Sequence, residues 1–156
     1  MGLSLSLAQY LSKQHIDYDT LVHQRTSTAL ETADKAHIPA DSLAKAILLR
    51  DQTGYLMAVI PASNKLEVGT LRTLTQRNFE IAPEGDLPAL FRDCDLGALP
   101  ALADAYGIPC IWEDDLAAHR EIYLEGGDHE SLLQISGNDF QRLMRRSEHA
   151  HISHPW

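Results

Sequence analysis

The chain of 156 residues is 44% apolar and 22% charged, a composition that predicts one compact domain with a sizeable core. Its formal net charge of -9 argues against a protein that wraps long DNA or RNA, because phosphate binding depends on clustered Lys and Arg. No run approaches the roughly 20 apolar residues of a membrane span, and the N-terminal residues lack the basic flank of a secretory signal, so we expect a cytoplasmic protein without membrane contact.

Short helical and extended patterns alternate with turn signals along the chain. Runs of Ile, Leu and Val indicate strands, and apolar residues at helical spacing behind a Ser, Thr or Asn cap indicate helices. In chain order, the patterns predict helix 4–15, strand 18–22, helix 29–37, a β-hairpin of strands 44–50 and 55–62, helix 66–76, strand 79–82, helix 87–92, an ordered loop at 93–109, strand 110–112, a helical turn at 114–119, strands 121–124 and 131–135, and helix 139–145. The predicted caps are Ser4, Thr28 and Asn138.

The order of these elements favours an α+β fold. Several strands follow one another without an intervening helix, whereas a doubly wound sheet needs strands and helices in alternation. We therefore predict a single compact domain at residues 1–146, with a central mixed, mostly antiparallel sheet surrounded by helices. Residues 147–156 are predicted to form a flexible C-terminal tail.

Lys45 is the first candidate for chemistry. It stands between Ala44 and Ala46 at the start of an apolar strand pattern, where small neighbours would let its side chain point into a cleft. A cation in that position could hold a phosphate, a carbonyl oxygen or a developing oxyanion. The alternative is a strand-end lysine that points into solvent.

A second candidate is the segment from Asp93 to Pro100. Gly97 and Ala98 carry little or no side chain, so their backbone N–H groups could approach a ligand, and Pro100 restricts the local geometry. Such a loop could hold a carbonyl oxygen or a ribose hydroxyl without a catalytic side chain. The alternative is an ordinary tight turn.

Other polar residues are weaker candidates. His23, Thr26 and Thr28 could line a site at the edge of the first strand, although capping or surface roles explain them as well. His129 follows a Gly-Gly-Asp turn and could orient a loop, and turn chemistry alone is the alternative.

No metal centre or disulfide framework is expected. Cys94 and Cys110 lie far apart and outside any Cys-x-x-Cys pair. His149, His151 and His154 alternate in the predicted tail, where adventitious metal binding is the expected behaviour. The sequence also lacks a phosphate-binding Gly-Lys-Ser loop and a His-Glu-x-x-His motif.

The motifs occur in an order that resembles the YbaK/ProX family, which is related to the editing domain inserted in bacterial prolyl-tRNA synthetases. The similarity covers nearly the whole chain and rests on the order and spacing of the motifs rather than on any single one. The matching segments are His23–Ala29 with Glu31, Ala44–Leu49, Val59–Ser63, Phe91–Cys94 with Gly97–Pro100, Tyr106–Pro109 and Gly126–His129.

The resemblance implies a barrel-like mixed sheet and a trans-acting enzyme that hydrolyses the ester joining an amino acid to the terminal adenosine of tRNA. No metal and no cofactor are implied. The relatives remove small misattached residues, such as alanine or cysteine on proline tRNA. By resemblance, the catalytic positions are Lys45, Gly97 and Ala98, and the substrate-binding positions are His23, Thr26, Thr28, Ser63, Asp93, Leu99, Pro100 and His129.

Two departures from the family pattern bear on activity. Many relatives carry a second Pro and a Phe-Gly pair after the loop, where this chain has Ala101, Leu102 and Ala103, and they often carry His-Pro where it has His23 and Gln24. Because of the altered residues after Pro100 and the strongly acidic second half of the chain, a catalytically inactive tRNA- or synthetase-binding module is the alternative to a deacylase. A small-molecule esterase or amino-acid binder is a third hypothesis.

The charge is distributed unevenly along the chain. Residues 43–77 contain five basic and two acidic residues, a balance of +3, whereas residues 78–130 contain two basic and thirteen acidic residues, a balance of -11. We predict that the first segment contacts only the acceptor end of aminoacyl-tRNA, through Lys45, Arg50, Lys65, Arg72 and Arg77. Because few phosphates would be neutralised, binding should be weak, and a synthetase or elongation factor is expected to present the substrate.

Overall fold

A computed structural model describes residues 3–156, and Met1 and Gly2 of the predicted domain 1–146 lie outside the described residues. The described part contains five α-helices: Leu5–Lys13 (α1), Ala29–Lys35 (α2), Val68–Thr75 (α3), Leu87–Leu90 (α4) and Gly137–Leu143 (α5). Its ten strands are Asp19–Val22 (β1), Leu43–Arg50 (β2), Tyr55–Pro61 (β3), Asn64–Leu66 (β4), Glu80–Ile81 (β5), Cys110–Glu113 (β6), Glu121–Glu125 (β7), Ser131–Ser136 (β8), Glu148–Ala150 (β9) and Ser153–Pro155 (β10). None of these helices has the length and apolar character needed to cross a membrane.

One mixed sheet of eight strands organises the fold. Its strands follow the order β1-β8-β7-β2-β3-β6-β9, and β5 pairs with β2 beside this path. The pairs β2–β7, β3–β6 and β6–β9 are parallel. The pairs β1–β8, β2–β3, β2–β5 and β7–β8 are antiparallel. The prediction of an α+β domain with a mixed, mostly antiparallel sheet is therefore confirmed.

The β2–β3 hairpin is buried on both faces, which explains why β3 is continuously apolar rather than alternating. Leu48 and Val59 belong to the larger core, which also contains residues of α1 and α5. Leu49 and Ile60 belong to a second core, which contains Leu71 of α3. Because both faces are packed, the first residues of β2 are held in a fixed position.

Two of the three predicted helix caps are confirmed. Ser4 and Thr28 cap α1 and α2, since each side-chain oxygen accepts a backbone N–H from the first turn. The predicted cap Asn138 is wrong, because Ser136 caps α5 and its Oγ accepts the N–H of Asp139 at 3.0 Å. Ser136 and Asn138 are both common capping residues and lie two positions apart. The position at which β8 ends determines that Ser136 is the cap.

The structure of the C-terminal segment contradicts a second prediction. Residues 147–156, expected to be a flexible tail, contain two strands: β9 pairs with β6, and β10 pairs antiparallel with β4. The buried carboxylate of Glu113 holds this segment, because its Oε1 accepts the N–H groups of Ile152 and Ser153 at 3.0 Å and the Ser153 hydroxyl at 2.7 Å. The segment is short, polar and rich in His, so its strands depend on this tertiary contact rather than on apolar periodicity.

We expect Glu113→Ala to lower the free energy of unfolding by roughly 3 kcal/mol, because several buried donors lose their acceptor and each costs about 1–3 kcal/mol. Urea unfolding measures the effect. Glu148→Ala is the control, because Glu148 is an exposed acid on β9 of the same segment. Equal unfolding midpoints for the two variants would contradict the anchoring role of Glu113.

The same carboxylate predicts a pH dependence of stability. Burial raises the pKa of Glu113, but hydrogen bonds, chiefly from Ser153 and Asp115, outweigh burial and hold the pKa below its ordinary value of 4.5. Since the folded-state pKa lies below the unfolded one, the stabilisation is fully present above pH 4.5. It should be lost as the pH falls through the lowered pKa, and Glu113→Ala should lack that loss.

Candidate functional site

A small cleft lies where the first residues of β2 meet the first turn of α2, the end of β7 and two loops. Its volume is about 50 Å³. Five of the predicted site residues line it: Thr28, Lys45, Gly97, Leu99 and His129. Three further polar lining residues were not predicted: Ser27, Thr32 and Glu125.

Lys45 stands half-buried in this cleft. Strand pairing places it opposite Ile60, and Ala44 and Ala46 flank it in β2. Burial lowers the pKa of Lys45. Within residues 3–156, no carboxylate lies within 4.0 Å of its ammonium group. Among the described residues, Lys45 therefore has no ion-pair partner at this distance.

The loop at Gly97 forms one wall of the cleft and contacts His129. Gly97 has a φ of +82°, in the left-handed region that favours glycine. A Cβ at this position would lie 3.6 Å from Cε1 and 3.8 Å from Nε2 of the His129 ring. The His129 Nε2–H donates to the Leu96 carbonyl oxygen at 2.6 Å. The imidazole thus holds the loop at the residue before Gly97.

Glu125 is a cleft residue that sequence reasoning missed. It ends β7, and its Oε1 accepts the N–H groups of His129 at 3.2 Å and Gly127 at 3.4 Å. Burial raises the pKa of Glu125, and the hydrogen bond from Gly127 opposes this shift only in part. The available signal was an acid directly before a Gly-Gly turn, a pattern that is also common on protein surfaces.

Three predicted positions of the loop do not line the cleft. Ala98 has no exposed surface, and its N–H donates to the Asp95 carbonyl oxygen at 3.0 Å. Pro100 is also buried. Asp93 accepts the N–H of Ser6 at 2.7 Å, so it ties the loop to α1. These three residues hold the loop in position but do not form the wall of the cleft.

The remaining predicted residues lie around the cleft rather than in it. The hydroxyl of Thr26 hydrogen-bonds with that of Thr32, which does line the cleft. His23 is buried, its Nδ1–H donates to the Gln24 carbonyl oxygen at 2.6 Å, and its Nε2 has no partner among the described residues. Ser63 lies beyond the end of β3 and does not line the cleft.

The two thiols are poor nucleophiles. Both are free, and burial raises the pKa of Cys94 to about 11 and that of Cys110 to about 12. Each is therefore protonated near pH 7, whereas the thiolate is the reactive form.

One group of side chains outside the cleft has the composition of a metal site. Donor atoms of Glu113, Asp115 and His151 lie within 4.8 Å of one another. However, both oxygens of Glu113 already accept hydrogen bonds, from the backbone of Ile152 at 3.0 Å and from the His151 ring at 2.9 Å. We interpret this group as the anchor of the C-terminal segment, and independence of metal stays a prediction.

Two wider depressions carry none of the predicted catalytic or substrate-binding residues. One of about 750 Å³ lies near Tyr18 and Arg120, and another of about 810 Å³ lies near Thr53 and Arg77. Both are broad and open to solvent. Their size therefore does not outweigh the convergence of Lys45, the glycine loop and two further titratable side chains in the small cleft.

A known protein family matches most of the chain. A family described as the aminoacyl-tRNA editing domain matches residues 23–143. The chain belongs to the aminoacyl-tRNA editing domain family. The matched span contains all the cleft residues of this editing domain and ends before β9 and β10. A comparison with curated proteins finds no match.

Solved structures share the fold of this editing domain. A hypothetical protein is 19% identical with a TM-score of 0.83, and the alignment covers 96% of this chain and 99% of that one. A protein proposed to be a trans-editing enzyme for prolyl-tRNA synthetase is 17% identical with a TM-score of 0.81, over 97% and 96% of the two chains. A protein from Marinobacter aquaeolei, proposed to act in signal transduction, is 19% identical with a TM-score of 0.77, over 97% of this chain and 31% of that one. These likenesses show the fold alone.

Proposed function

We propose that this editing domain is a trans-acting aminoacyl-tRNA deacylase, which hydrolyses the ester between a wrongly attached amino acid and the terminal adenosine of tRNA. The observation that carries the proposal is the position of Lys45, a half-buried lysine beside a glycine loop, with no carboxylate within 4.0 Å among residues 3–156. Burial of an unpaired charge costs free energy, and charges of this kind cluster at functional sites. An oxyanion formed in the cleft would supply the missing counter-charge.

The reaction needs a nucleophilic water, a place for the carbonyl oxygen and a leaving ribose oxygen. In the proposed mechanism, water adds to the ester carbonyl carbon and loses a proton, and the Lys45 ammonium stabilises the oxyanion that forms. Collapse of this intermediate breaks the bond to the ribose oxygen, which takes up a proton, and releases the free amino acid and tRNA. One well-placed donor stabilises an oxyanion by about 3–4 kcal/mol.

The Gly97 loop is proposed to place the ester against Lys45. The N–H groups of Gly97 and Leu99 donate to no protein acceptor in the described part of the chain, whereas the N–H of Ala98 is occupied by Asp95. Gly97 and Leu99 also line the cleft. They are therefore better candidates than Ala98 for hydrogen bonds to the ester or the ribose.

His129 and Glu125 are proposed as positioning residues for this loop. His129 binds the carbonyl oxygen of Leu96, and Glu125 binds the backbone N–H of His129 in turn. The chain of hydrogen bonds links the end of β7 to the loop. Its role would be to keep the loop amides at a fixed distance from Lys45.

The size of the cleft favours a small amino acid. A volume of about 50 Å³ leaves room for a small side chain, and Thr28, Ala29 and Ala46 line the walls. A pocket can exclude larger side chains by steric overlap more readily than it can reject smaller ones. We therefore propose that the substrate carries a small misattached residue such as alanine.

Deacylation of a set of mischarged tRNAs tests the function directly. We expect release of small amino acids and slow or no release of large aliphatic and aromatic ones. Absence of hydrolysis with every substrate, together with retained tRNA binding, would instead support a catalytically inactive binding module. Turnover of free amino-acid esters as fast as that of charged tRNA would support a small-molecule esterase.

Ion pairs reduce the basic surface that was predicted to contact tRNA. Arg50 pairs with Asp86 at 2.9 Å, and Arg77 pairs with Asp51 at 2.6 Å. A third member of the set, Arg72, donates its Nε–H to a backbone carbonyl oxygen at 2.8 Å. The backbone carbonyl is neutral, so Arg72 keeps its charge, and the segment's cations without an ion pair among the described residues are Lys45, Lys65 and Arg72.

We predict a shallow salt dependence of tRNA affinity. Each phosphate neutralised in a single strand contributes a slope of about -0.7 to log K against log salt, so Lys65 and Arg72 together predict a slope of about -1.4, while Lys45 faces the ester in the cleft. Lys65→Ala should reduce the slope by about half, whereas Lys13→Ala, on α1, should not change it. A slope corresponding to about six phosphates, or protection of the anticodon arm, would contradict this contact surface.

A further inference from the structure

Trp156 is an exposed aromatic residue at the edge of the cleft. The residue is 69% exposed. The ammonium of Lys45 lies 5.8 Å from the centroid of the Trp156 ring, and that of Lys65 lies 5.7 Å from it. Since Lys45 lines the cleft, the ring stands directly beside the cation to which the ester is proposed to bind.

The backbone of the C-terminal segment determines where this ring stands. The β10–β4 register pairs His154 with Lys65, and the Trp156 N–H donates to the Ser63 carbonyl oxygen at 3.2 Å. Glu113 anchors Ile152, which directly precedes β10, and Ser153, which begins it. Trp156 therefore directly follows a hydrogen-bonded strand, and the residue stays largely exposed to solvent.

An open indole beside two ammonium groups fits a nucleotide better than a peptide. The flat ring can stack on any base, and the lysines can pair with phosphates of the same strand. An acidic peptide would use the lysines but would leave the exposed aromatic face without a partner. Single-strand binding proteins combine the same two elements, an aromatic platform and nearby cations.

We propose that Trp156 is a binding residue on which the terminal base of the tRNA acceptor end stacks, while Lys65 contacts a phosphate of the same strand. This inference rests on the proposed function, because the ester in the cleft is bonded to the ribose that carries this base. The base and the ester belong to the same nucleoside. The base must therefore lie within the length of one nucleoside from Lys45, which is also where the Trp156 ring lies. Trp156 lies outside the family match at 23–143.

Fluorescence anisotropy with an uncharged RNA can test the platform. The probe is a 5′-labelled single strand that ends in adenosine, and its partner is the same strand with an abasic ribose at the 3′ end. We expect the wild type to bind the adenosine-ended strand about tenfold more tightly than the abasic one, the scale of stacking one base on an aromatic side chain. Trp156→Ala should remove this difference, and Trp156→Phe should keep most of it.

Leu74→Ala is the matched control, because Leu74 is an apolar residue on α3 that is 52% exposed and does not line the cleft. It should bind both strands as the wild type does. Equal discrimination between the two strands in the wild type and Trp156→Ala would overturn the proposal. Tighter RNA binding by Trp156→Ala would also overturn it, because the ring would then cover the cleft rather than serve as a platform.

The test separates this inference from the proposed function. Uncharged RNA contains no ester, so base-dependent binding does not require hydrolysis. Base-dependent binding without hydrolysis of any mischarged tRNA would disprove the deacylase proposal and support the platform. Hydrolysis without base-dependent binding would overturn the platform alone.

Discussion

Lys45→Ala is expected to lower the rate of ester hydrolysis by about 100- to 1,000-fold, the usual effect of removing one oxyanion donor. The fold should stay intact, because Lys45 is only half-buried and makes no ion pair within the described residues. Single-turnover hydrolysis of a mischarged tRNA measures the effect. Lys35→Ala is the control, since Lys35 is an exposed lysine on α2. Unchanged turnover in Lys45→Ala would disprove the mechanism.

The pH profile gives a second measurement of the same role. Burial lowers the pKa of Lys45 below 10.5, and the ammonium is the form that stabilises an oxyanion. Hydrolysis should therefore fall as the pH rises through the lowered pKa. Lys45→Arg should remove this alkaline decline even if its absolute rate is lower, because a guanidinium stays charged. An identical decline in Lys45→Arg would assign the titration to another group.

The stability of the wild type should also depend on the titration of Lys45, but with the opposite sign. Stability should rise with pH, whereas hydrolysis should fall. The folded-state pKa of Lys45 lies below the unfolded one, so the unfolded chain binds more protons between the two values. Stability should therefore rise with pH in that window. Lys45→Ala should lack this contribution, and comparison of its unfolding midpoints with those of the wild type at alkaline pH measures it.

Gly97→Val is expected to lower hydrolysis by about 100-fold, because a displacement of the loop by about 1 Å is enough to disrupt a reacting geometry. At a φ of +82°, a β-branched residue is strained. Its added atoms would also extend from a Cβ that already lies 3.6 Å from the His129 ring. Both effects move the loop amides away from the ester. Hydrolysis of a mischarged tRNA, measured at saturating enzyme, reports the loss.

Gly107→Val separates loss of the loop geometry from general backbone strain. Gly107 also has a positive φ, of +68°, but a Cβ there would have open space around it, and the residue does not line the cleft. Each variant should cost about 1–3 kcal/mol of stability, but only Gly97→Val should lose activity. Equal activity of the two variants would show that the Gly97 loop is only a turn. Ala98→Val is not a suitable test of the loop, because Ala98 has no exposed surface and a valine there would disturb the core.

The regular elements could be predicted where local signals agree. The hairpin of β2 and β3 has two apolar runs and a Gly-containing turn between them, and the structure pairs it from Ala44 to Pro61. In contrast, the helix predicted at 66–76 begins only at Val68, because Asn64–Leu66 pair with Ser153–Pro155 as strands. Apolar spacing cannot reveal this boundary, since the pairing partner lies at the other end of the chain.

Some residues of the site could likewise be predicted from local signals, and others could not. Lys45, Gly97 and His129 were visible as motifs, and the structure brings them to one cleft. Glu125 carried no signal of its own, because its place in the cleft depends on where β7 ends. Ala98 had the composition of a ligand-binding position, but its N–H is used within the loop by Asp95.

Local patterns by themselves determined the class of fold, the hairpin that carries Lys45 and the loop that needs glycine at position 97, because these features depend on neighbouring residues and on backbone conformations that few residue types adopt. Only the tertiary structure decided which charges stay available. Ion pairs occupy Arg50 and Arg77, whereas Lys45 and Lys65 face the ring of Trp156. Residues that are distant in sequence make these contacts, so the order of the amino acids alone could not reveal them.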